Sequence, residues 1–470
     1  MSRCDYDMAI VGAGASGLIA ADFAVKLGVR VVLIEKDRIG GDCTWTGCVP
    51  NKSLIKVASV AHAMRTAEEF GIAASTPVVD MERVRKYLRK TIRQIYEPTA
   101  PEALRAKGMD VMLGAARFLD PHTLAVNESR VTARHVLINT GAVPRMPEVA
   151  GLDAVGFMTY REIFENDRLP DTLLVIGGGP VGCEIAQCYR RLGAAVTLIA
   201  ERLLPREEPE AGVALERVFE KEGIVRVPAR ATRVFESDGI TTVETAAGEH
   251  RGDQLLVATG RRPQVDGLGL EAAGVRFSED GIYIDEYLRT TALHIFAAGD
   301  VAGGPQYSHL AGWQGFHAVR NALLPGKSRG WNDATPAVTF TAPEIARAGW
   351  TERTARERGE DVTAEMLDLS KVDRAVSEND CIGFIKLVLR RDGHLVGATF
   401  VGERASEAIT EVVLAIQRGL KIQDVASVLH PYPTYGTGVQ LLATQISIQR
   451  ATSGIAGKVL RTAARLSRMT

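Results

Sequence analysis

Apolar residues in this chain fall into short dense blocks, and glycine clusters divide the blocks. Met8 to Val11 is such a block and predicts a buried strand. After it come Gly12-Ala13-Gly14-Ala15-Ser16-Gly17, then an alanine-rich helical pattern to about Lys26. A second apolar strand, Val29 to Ile34, ends on Glu35. The order of strand, glycines, helix, strand and acid has a physical logic. Gly12 permits the sharp turn, and Gly14 lets the backbone approach a pyrophosphate seated on the helix N-terminus. Gly17 allows helix and strand to pack closely, and Glu35 can accept hydrogen bonds from an adenosine ribose. A glycine triplet alone is a weak signal; the whole succession predicts a dinucleotide cradle.

The pattern returns downstream. Leu173 to Ile176 predicts a strand, Gly177, Gly179 and Gly182 supply the turn, and Ala195 to Ile199 predicts the strand after the next helix. Two cradles imply two dinucleotides, one a flavin (FAD) and the other a nicotinamide. The second strand ends on Ala200, where an NAD-selective site carries an acid, and Glu201, Arg202 and Arg206 follow. Arginines here can bind a 2′-phosphate, which favours NADPH. Glu201 can serve a 2′-hydroxyl instead, which keeps NADH open. Arg202 and Arg206 also read as solvated loop charges.

At 470 residues the chain exceeds one ordinary core and predicts two to four domains. A formal net charge of −1 argues against a nucleic-acid partner. Neither a signal-peptide pattern nor an apolar stretch of membrane-spanning length is present, so a cytoplasmic location is expected. The six cysteines, Cys4, Cys43, Cys48, Cys183, Cys188 and Cys381, are too few for a disulfide scaffold. Cys183 and Cys188, in the second cradle's helix, read as core thiols.

Cys43 and Cys48 stand apart. They lie in Gly40-Gly41-Asp42-Cys43-Thr44-Trp45-Thr46-Gly47-Cys48-Val49-Pro50-Asn51-Lys52, just ahead of a helical pattern from about Pro50 to Met64. A helix N-terminus stabilises a thiolate. Zinc, the competing reading of a cysteine pair, needs a second ligand pair that the other cysteines do not offer, so no metal site is expected. This C-x4-C-x-P-x-K segment downstream of a flavin cradle resembles the flavoprotein disulfide reductases, the family of lipoamide dehydrogenase, glutathione reductase and mercuric reductase. The resemblance implies a redox-active Cys43–Cys48 disulfide, with Cys48 against the flavin ring and Cys43 exchanging with substrate. It implies that Lys52 lies by flavin N5, with Glu184 as its partner acid. It further identifies Ile138-Asn139-Thr140-Gly141 and Val257-Ala258-Thr259-Gly260-Arg261-Arg262-Pro263 as crossover turns, and Phe296-Ala297-Ala298-Gly299-Asp300 as a second FAD motif. A helix from His309 to Ala322 would follow it.

The implied fold is α/β, with two Rossmann-like dinucleotide-binding domains and a C-terminal α+β dimerisation domain. An FAD domain is expected at roughly 1–150 and 268–330, a nicotinamide domain at 151–267, an interface domain at 331–450 and a basic tail at 451–470. The resemblance implies a homodimer. Near the C-terminus the pattern departs from the disulfide reductases, which carry His-Pro-Thr and a later glutamate. This chain reads His430-Pro431-Tyr432-Pro433-Thr434-Tyr435-Gly436-Thr437. Tyr432 takes the histidine position and Thr437 the glutamate position. The usual dyad is then missing, with Tyr432 or a displaced His430 left as the acid–base group. Tyrosine at this position, with Asp373-Arg374-Ala375, points toward the mercuric reductases, although no cysteine follows Cys381. The expected acceptor is a small-molecule or protein disulfide or a thiol-bound metal ion. A flavin-centred quinone or oxygen reductase is the alternative, and a redox-sensing or membrane-docked subunit a further one. The tail predicts a helix with Lys458, Arg461, Arg465 and Arg468 on one side and Ile455, Val459, Ala463 and Leu466 on another. The preferred expectation is a helix packed on its own domain; weak membrane-surface association is the other arrangement.

Overall fold

The computed structural model describes residues 4–467. It divides into two compact units, Met1–Glu201 with Val227–Trp331, and Arg202–Arg226 with Asn332–Thr470.

The first unit is organised by one long strand, Ser129–Ile138. Its C-terminal half pairs in parallel with Tyr6–Val11, which pairs in turn with Val31–Glu35 and then Asp110–Leu113. On its other side it takes Ile295–Ala297, again in parallel. That last pairing stitches a segment almost 300 residues downstream into the sheet that begins the chain, and brings Gly299-Asp300 to its carboxyl edge. The strands Met8–Val11 and Val31–Ile34 are fully buried, as a parallel sheet covered on both faces requires. Helix Ala15–Lys26 crosses between the first two strands and packs on helix Ser308–Leu323. The approach is close because Gly312 and Gly315 face it: a Cβ on Gly315 would stand 2.4 Å from the Ser16 carbonyl oxygen.

A second parallel sheet in this unit runs Gln254–Val257, Thr172–Ile176, Ala195–Ile199, with helix Pro180–Leu192 as the crossover. The crossover turns pair with each other, Ala142–Pro144 against Arg261–Pro263 in antiparallel register.

The second unit holds a five-stranded antiparallel sheet in the order Ala337–Thr339, Glu344–Gly349, Leu395–Gly402, Phe384–Arg390, Val362–Asp368. Helices Ala405–Gln417 and Thr437–Thr452 close its core around Leu387, Phe400, Ile409 and Leu442. Lys386 is buried on the strand Phe384–Arg390 and meets Glu208 at 3.2 Å and Glu210 and Glu352 at 2.9 Å each.

Two expectations are corrected. Cys43 precedes the main helix but lies inside a short helix of its own, Gly41–Trp45, while Cys48 is not ahead of the main helix but the first residue of it, Cys48–Thr66. Pro50 therefore sits within the first turn, where its missing N–H is still one the helix cannot use. Most of the described tail is not covered by its domain. The preceding helix ends at Thr452, a new one runs Gly454–Leu466, and every residue from Lys458 to Ser467 is exposed. Arg468 lies outside the described residues, as do the side-chain surroundings of Ile455.

Candidate active site

The two cradles are built alike. Gly12 at φ +101° and Gly177 at φ +121° occupy a backbone region that other residues rarely adopt. A Cβ on Gly17 would fall 2.0 Å from the Gly12 carbonyl oxygen, and one on Gly182 1.9 Å from that of Gly177. Gly14 and Gly179 have nothing within 4 Å of an added Cβ, so the space before each helix is open. Neither helix has a side-chain cap or an acidic residue in its first turn, which leaves the N-terminal N–H groups for an anion. Glu35 is buried at its strand end and accepts from the Ala13 N–H at 2.7 Å and the Asp37 N–H at 2.9 Å. Thr140 donates to the Gln264 carbonyl at 2.6 Å, and Gly141 and Gly260 turn the chain at φ +72° and +118°. In the second cradle Glu201 is held by Arg230 at 2.6 Å. Arg202 and Arg206 belong to the other unit and are exposed.

Four buried polar atoms lacking a protein partner fall on the segments around the first cradle and the cysteine turn. They are Asn139 Nδ2, Thr46 Oγ1, Asn51 Oδ1 and Arg261 Nε. A polar dinucleotide laid along the open Gly14 side would supply partners for such atoms. The residues present fit FAD.

Cys43 and Cys48 stand as a dithiol, in hydrogen-bond contact with each other. The bond from Cys43 pushes Cys48 down to about 6, and the Ser308 hydroxyl and the charge of Lys52 add to the effect against burial. Cys43 is displaced far upward, because it keeps the proton it donates to Cys48 and is itself desolvated. The pair therefore holds one proton at neutral pH, with the negative charge on Cys48. Its position as first helical residue places that charge at the positive end of the helix dipole. Ser308 Oγ lies 3.2 Å from Cys48 Sγ; toward a thiolate only the hydroxyl can donate.

Lys52 Nζ is 2.8 Å from Glu184 Oε2, which also accepts from Asn51 Nδ2, and Glu184 is 3 % exposed. The two residues come from helices Cys48–Thr66 and Pro180–Leu192, which pack together within the first unit. The cysteine turn is tied to the Gly299-Asp300 turn by a chain of charges. Asp42 accepts from Tyr160 at 2.9 Å and from Arg261 at 2.9 Å, and Arg261 reaches Asp300 at 2.7 Å. Burial raises the Asp300 pKa, and Arg261 opposes that rise.

In the second unit, Tyr432 is 72 % exposed and donates its hydroxyl to Asp373 Oδ2 at 2.7 Å, which raises its pKa. His430 is enclosed: Nδ1 faces the Val428 carbonyl at 3.0 Å, and Nε2 faces Glu411 at 2.6 Å. Thr437 still leaves no glutamate at the family position, yet a glutamate does face this displaced imidazole. Glu411 does so from helix Ala405–Gln417, a position no C-terminal motif marks.

Sequence reasoning brought together Cys43, Cys48, Lys52 and Glu184, and it missed Ser308, Asn51, Asp42, Tyr160 and Glu411 as participants. Ser308 begins its helix, where a serine reads as a capping residue; only the fold shows a thiol beside it. Arg261 stood inside a quoted motif without a role. Among the described residues no group of three or more histidine, cysteine or acidic side chains is placed to hold a metal ion, and no helix is long and apolar enough to cross a membrane.

Comparison with known proteins places the chain in a family. The family model "Pyridine nucleotide-disulphide oxidoreductase" matches residues 6–315, and that family's dimerisation domain matches 335–443. A mercuric reductase of Streptomyces lividans is 37% identical over 452 residues, covering 93% of this chain and 95% of that protein. Among solved structures, the HOCl-induced flavoprotein disulfide reductase RclA of Escherichia coli superposes with a TM-score of 0.84 at 26% identity, covering 93% of this chain and 99% of that one. That protein is also known as a Cu(II) complex. LpdA of Mycobacterium tuberculosis gives a TM-score of 0.85 at 28% identity over the same shares. The chain belongs to the pyridine nucleotide-disulphide oxidoreductases, enzymes that depend on FAD and NAD(P)H, and it is similar to their mercuric reductase and flavoprotein disulfide reductase members.

Proposed function

We propose that this enzyme passes electrons from NADPH to the Cys43–Cys48 pair and on to an acceptor held by thiolates, a soft metal ion before a disulfide. The supporting observation is the geometry of the pair: two free thiols in contact, Cys48 at a helix N-terminus with the Ser308 hydroxyl 3.2 Å from its Sγ, an arrangement that with Lys52 favours a thiolate on Cys48. FAD, when bound, supplies a two-electron relay between the nicotinamide and the sulfurs. Gly12, Gly14, Gly17, Glu35, Thr140, Gly141, Gly299 and Asp300 would hold it, in a domain formed by 1–150 and 268–330. Residues 151–267 would form the nicotinamide domain, 331–450 the interface domain of a homodimer, and 451–470 the basic tail. Lys52 and Glu184 would keep a fixed dipole beside the flavin ring. Gly177, Gly179 and Gly182 would seat the nicotinamide coenzyme's pyrophosphate. Glu201 is engaged by Arg230, which leaves it less free for a 2′-hydroxyl and supports NADPH.

The chemistry of the C-terminal segment favours a metal ion. Disulfide exchange needs a group that gives a proton to the leaving thiolate. Tyr432 has committed its hydroxyl to Asp373, which raises its pKa and makes it a poorer proton donor. His430 has both ring nitrogens committed, to Val428 and Glu411. Reduction of a thiolate-bound ion makes no such demand. Two electrons leave as the Cys43 and Cys48 sulfurs join, the Cys43 proton goes to solvent, and two Cu(II) ions become Cu(I), or one Hg(II) is reduced to the metal. The relatives' names and the Cu(II) complex of the E. coli protein are consistent with such acceptors.

Anaerobic titration of the holoenzyme with NADPH tests the electron path. A long-wavelength thiolate–flavin band at two electrons per FAD is expected, and Cys43→Ser should abolish metal-ion turnover. Bleaching of the flavin with no such band, or full turnover in Cys43→Ser, would point to a flavin-centred quinone or oxygen reductase.

A further inference from the structure

The C-terminal helix Gly454–Leu466 lies beyond residue 443, where the dimerisation-domain match ends. It has a charge character unlike the rest of the chain. No acidic residue follows Asp424, whereas Arg450, Lys458, Arg461, Arg465 and Arg468 do, in a protein whose net charge is −1. At about 100° per residue, Lys458, Arg461 and Arg465 share an arc of about 60°, and Val459, Ala463 and Leu466 share another about 140° away. Leu460 extends the apolar arc. Both arcs are bare: Val459 is 62 % exposed, Leu460 51 % and Leu466 60 %. A buried helix would cover the leucines, and a helix merely solvated would not sort its charges from its apolar side chains.

We infer that this helix docks the enzyme on an anionic lipid surface, lying in the headgroup plane with Val459, Leu460 and Leu466 inserted and Lys458, Arg461 and Arg465 against the lipid charges. Three observations favour this occupant. The basic arc is unopposed by any acid on its own helix, so it complements a negative surface of indefinite extent. The apolar arc is shallow, suited to insertion of several ångströms. A second copy of the helix would bury three or four modest side chains across about 20 Å of length, well short of the roughly 1,000 Å² that a specific interface needs. No described helix is long and apolar enough to cross a membrane, and an apolar arc of this size gives a reversible, peripheral attachment. It requires nothing of the active site and stands apart from the choice of electron acceptor.

The experiment is co-sedimentation of the full-length holoenzyme with phosphatidylserine–phosphatidylcholine vesicles and with pure phosphatidylcholine vesicles. Binding to the anionic vesicles is expected, falling steeply with salt. Chain termination after Ser453 should abolish it, and Lys458→Gln/Arg461→Gln/Arg465→Gln should weaken it about a hundredfold. NADPH-dependent turnover in solution should be unchanged in both variants, which shows that they fold. Equal partitioning of the full-length and terminated chains would overturn the inference. So would a change in oligomeric state on termination without vesicle binding, which would assign the helix to a second copy.

Discussion

Ser308→Ala removes one hydroxyl and no packing volume of consequence, and it tests the most specific claim about the thiol pair. Ser308 Oγ stands 3.2 Å from Cys48 Sγ. A hydrogen bond to a charged acceptor contributes about 1.5–3 kcal/mol, and 1.36 kcal/mol is about one pKa unit. Cys43, Lys52 and the helix N-terminus also hold the Cys48 charge, so the lower end applies. The variant should move Cys48 from about 6 to about 7. At about pH 6.5 the thiolate fraction would fall from about three quarters to about one quarter. The assay is the rate of iodoacetamide alkylation of the reduced holoenzyme against pH, with fragment-ion mass spectrometry separating Cys43 from Cys48. The Cys48 midpoint should shift up while that of Cys43 stays far above neutrality, and Ser308→Thr should restore it. A midpoint within a few tenths of a unit of the parent would refute the reasoning and leave Cys43, Lys52 and the helix dipole to account for the thiolate.

Because Cys48 titrates near 6, its thiolate is populated above that pH and lost below it; charge-transfer absorbance in the two-electron-reduced enzyme should fall with the same midpoint, and absorbance independent of pH between about 5 and 8 would contradict it. Gly17→Ala places a Cβ 2.0 Å from the Gly12 carbonyl oxygen, so the purified variant should carry little flavin; a flavin-to-protein ratio near one would show that the cradle can give way. Lys386→Met leaves Glu208, 2 % exposed, without its cation, and should cost about 3–5 kcal/mol in denaturant unfolding; a loss under about 1 kcal/mol would mean that Glu208 takes up a proton instead. Tyr432→Phe should change metal-ion turnover by less than tenfold, whereas loss of a working acid–base group costs about a hundredfold or more.

What the sequence made legible follows from how much each feature depends on neighbours along the chain. The cradles could be read because a turn that brings Gly17 to 2.0 Å of Gly12 allows no side chain there, and that demand is written in six consecutive residues. The cysteine pair was legible for the same reason. Helix faces were less so: the tail's pattern is compatible with burial, and only the fold shows Val459 and Leu466 left more than half exposed. The groups that tune the thiols left no local trace. Ser308 is 260 residues from Cys48, Arg261 is 219 from Asp42, and Glu411 is 19 from His430 with no motif between them. Each is delivered by strand pairing or helix packing. Ser308 reaches the cysteines because Ile295–Ala297 docks on Ser129–Ile138 and the helix at Ser308–Leu323 then packs on Ala15–Lys26. The sulfur chemistry is thus encoded twice. The reacting atoms are local, in Cys43 and Cys48, and their charge state is tertiary. A change in the Ile295–Ala297 pairing that left every cysteine in place would therefore be expected to raise the Cys48 pKa as surely as Ser308→Ala does.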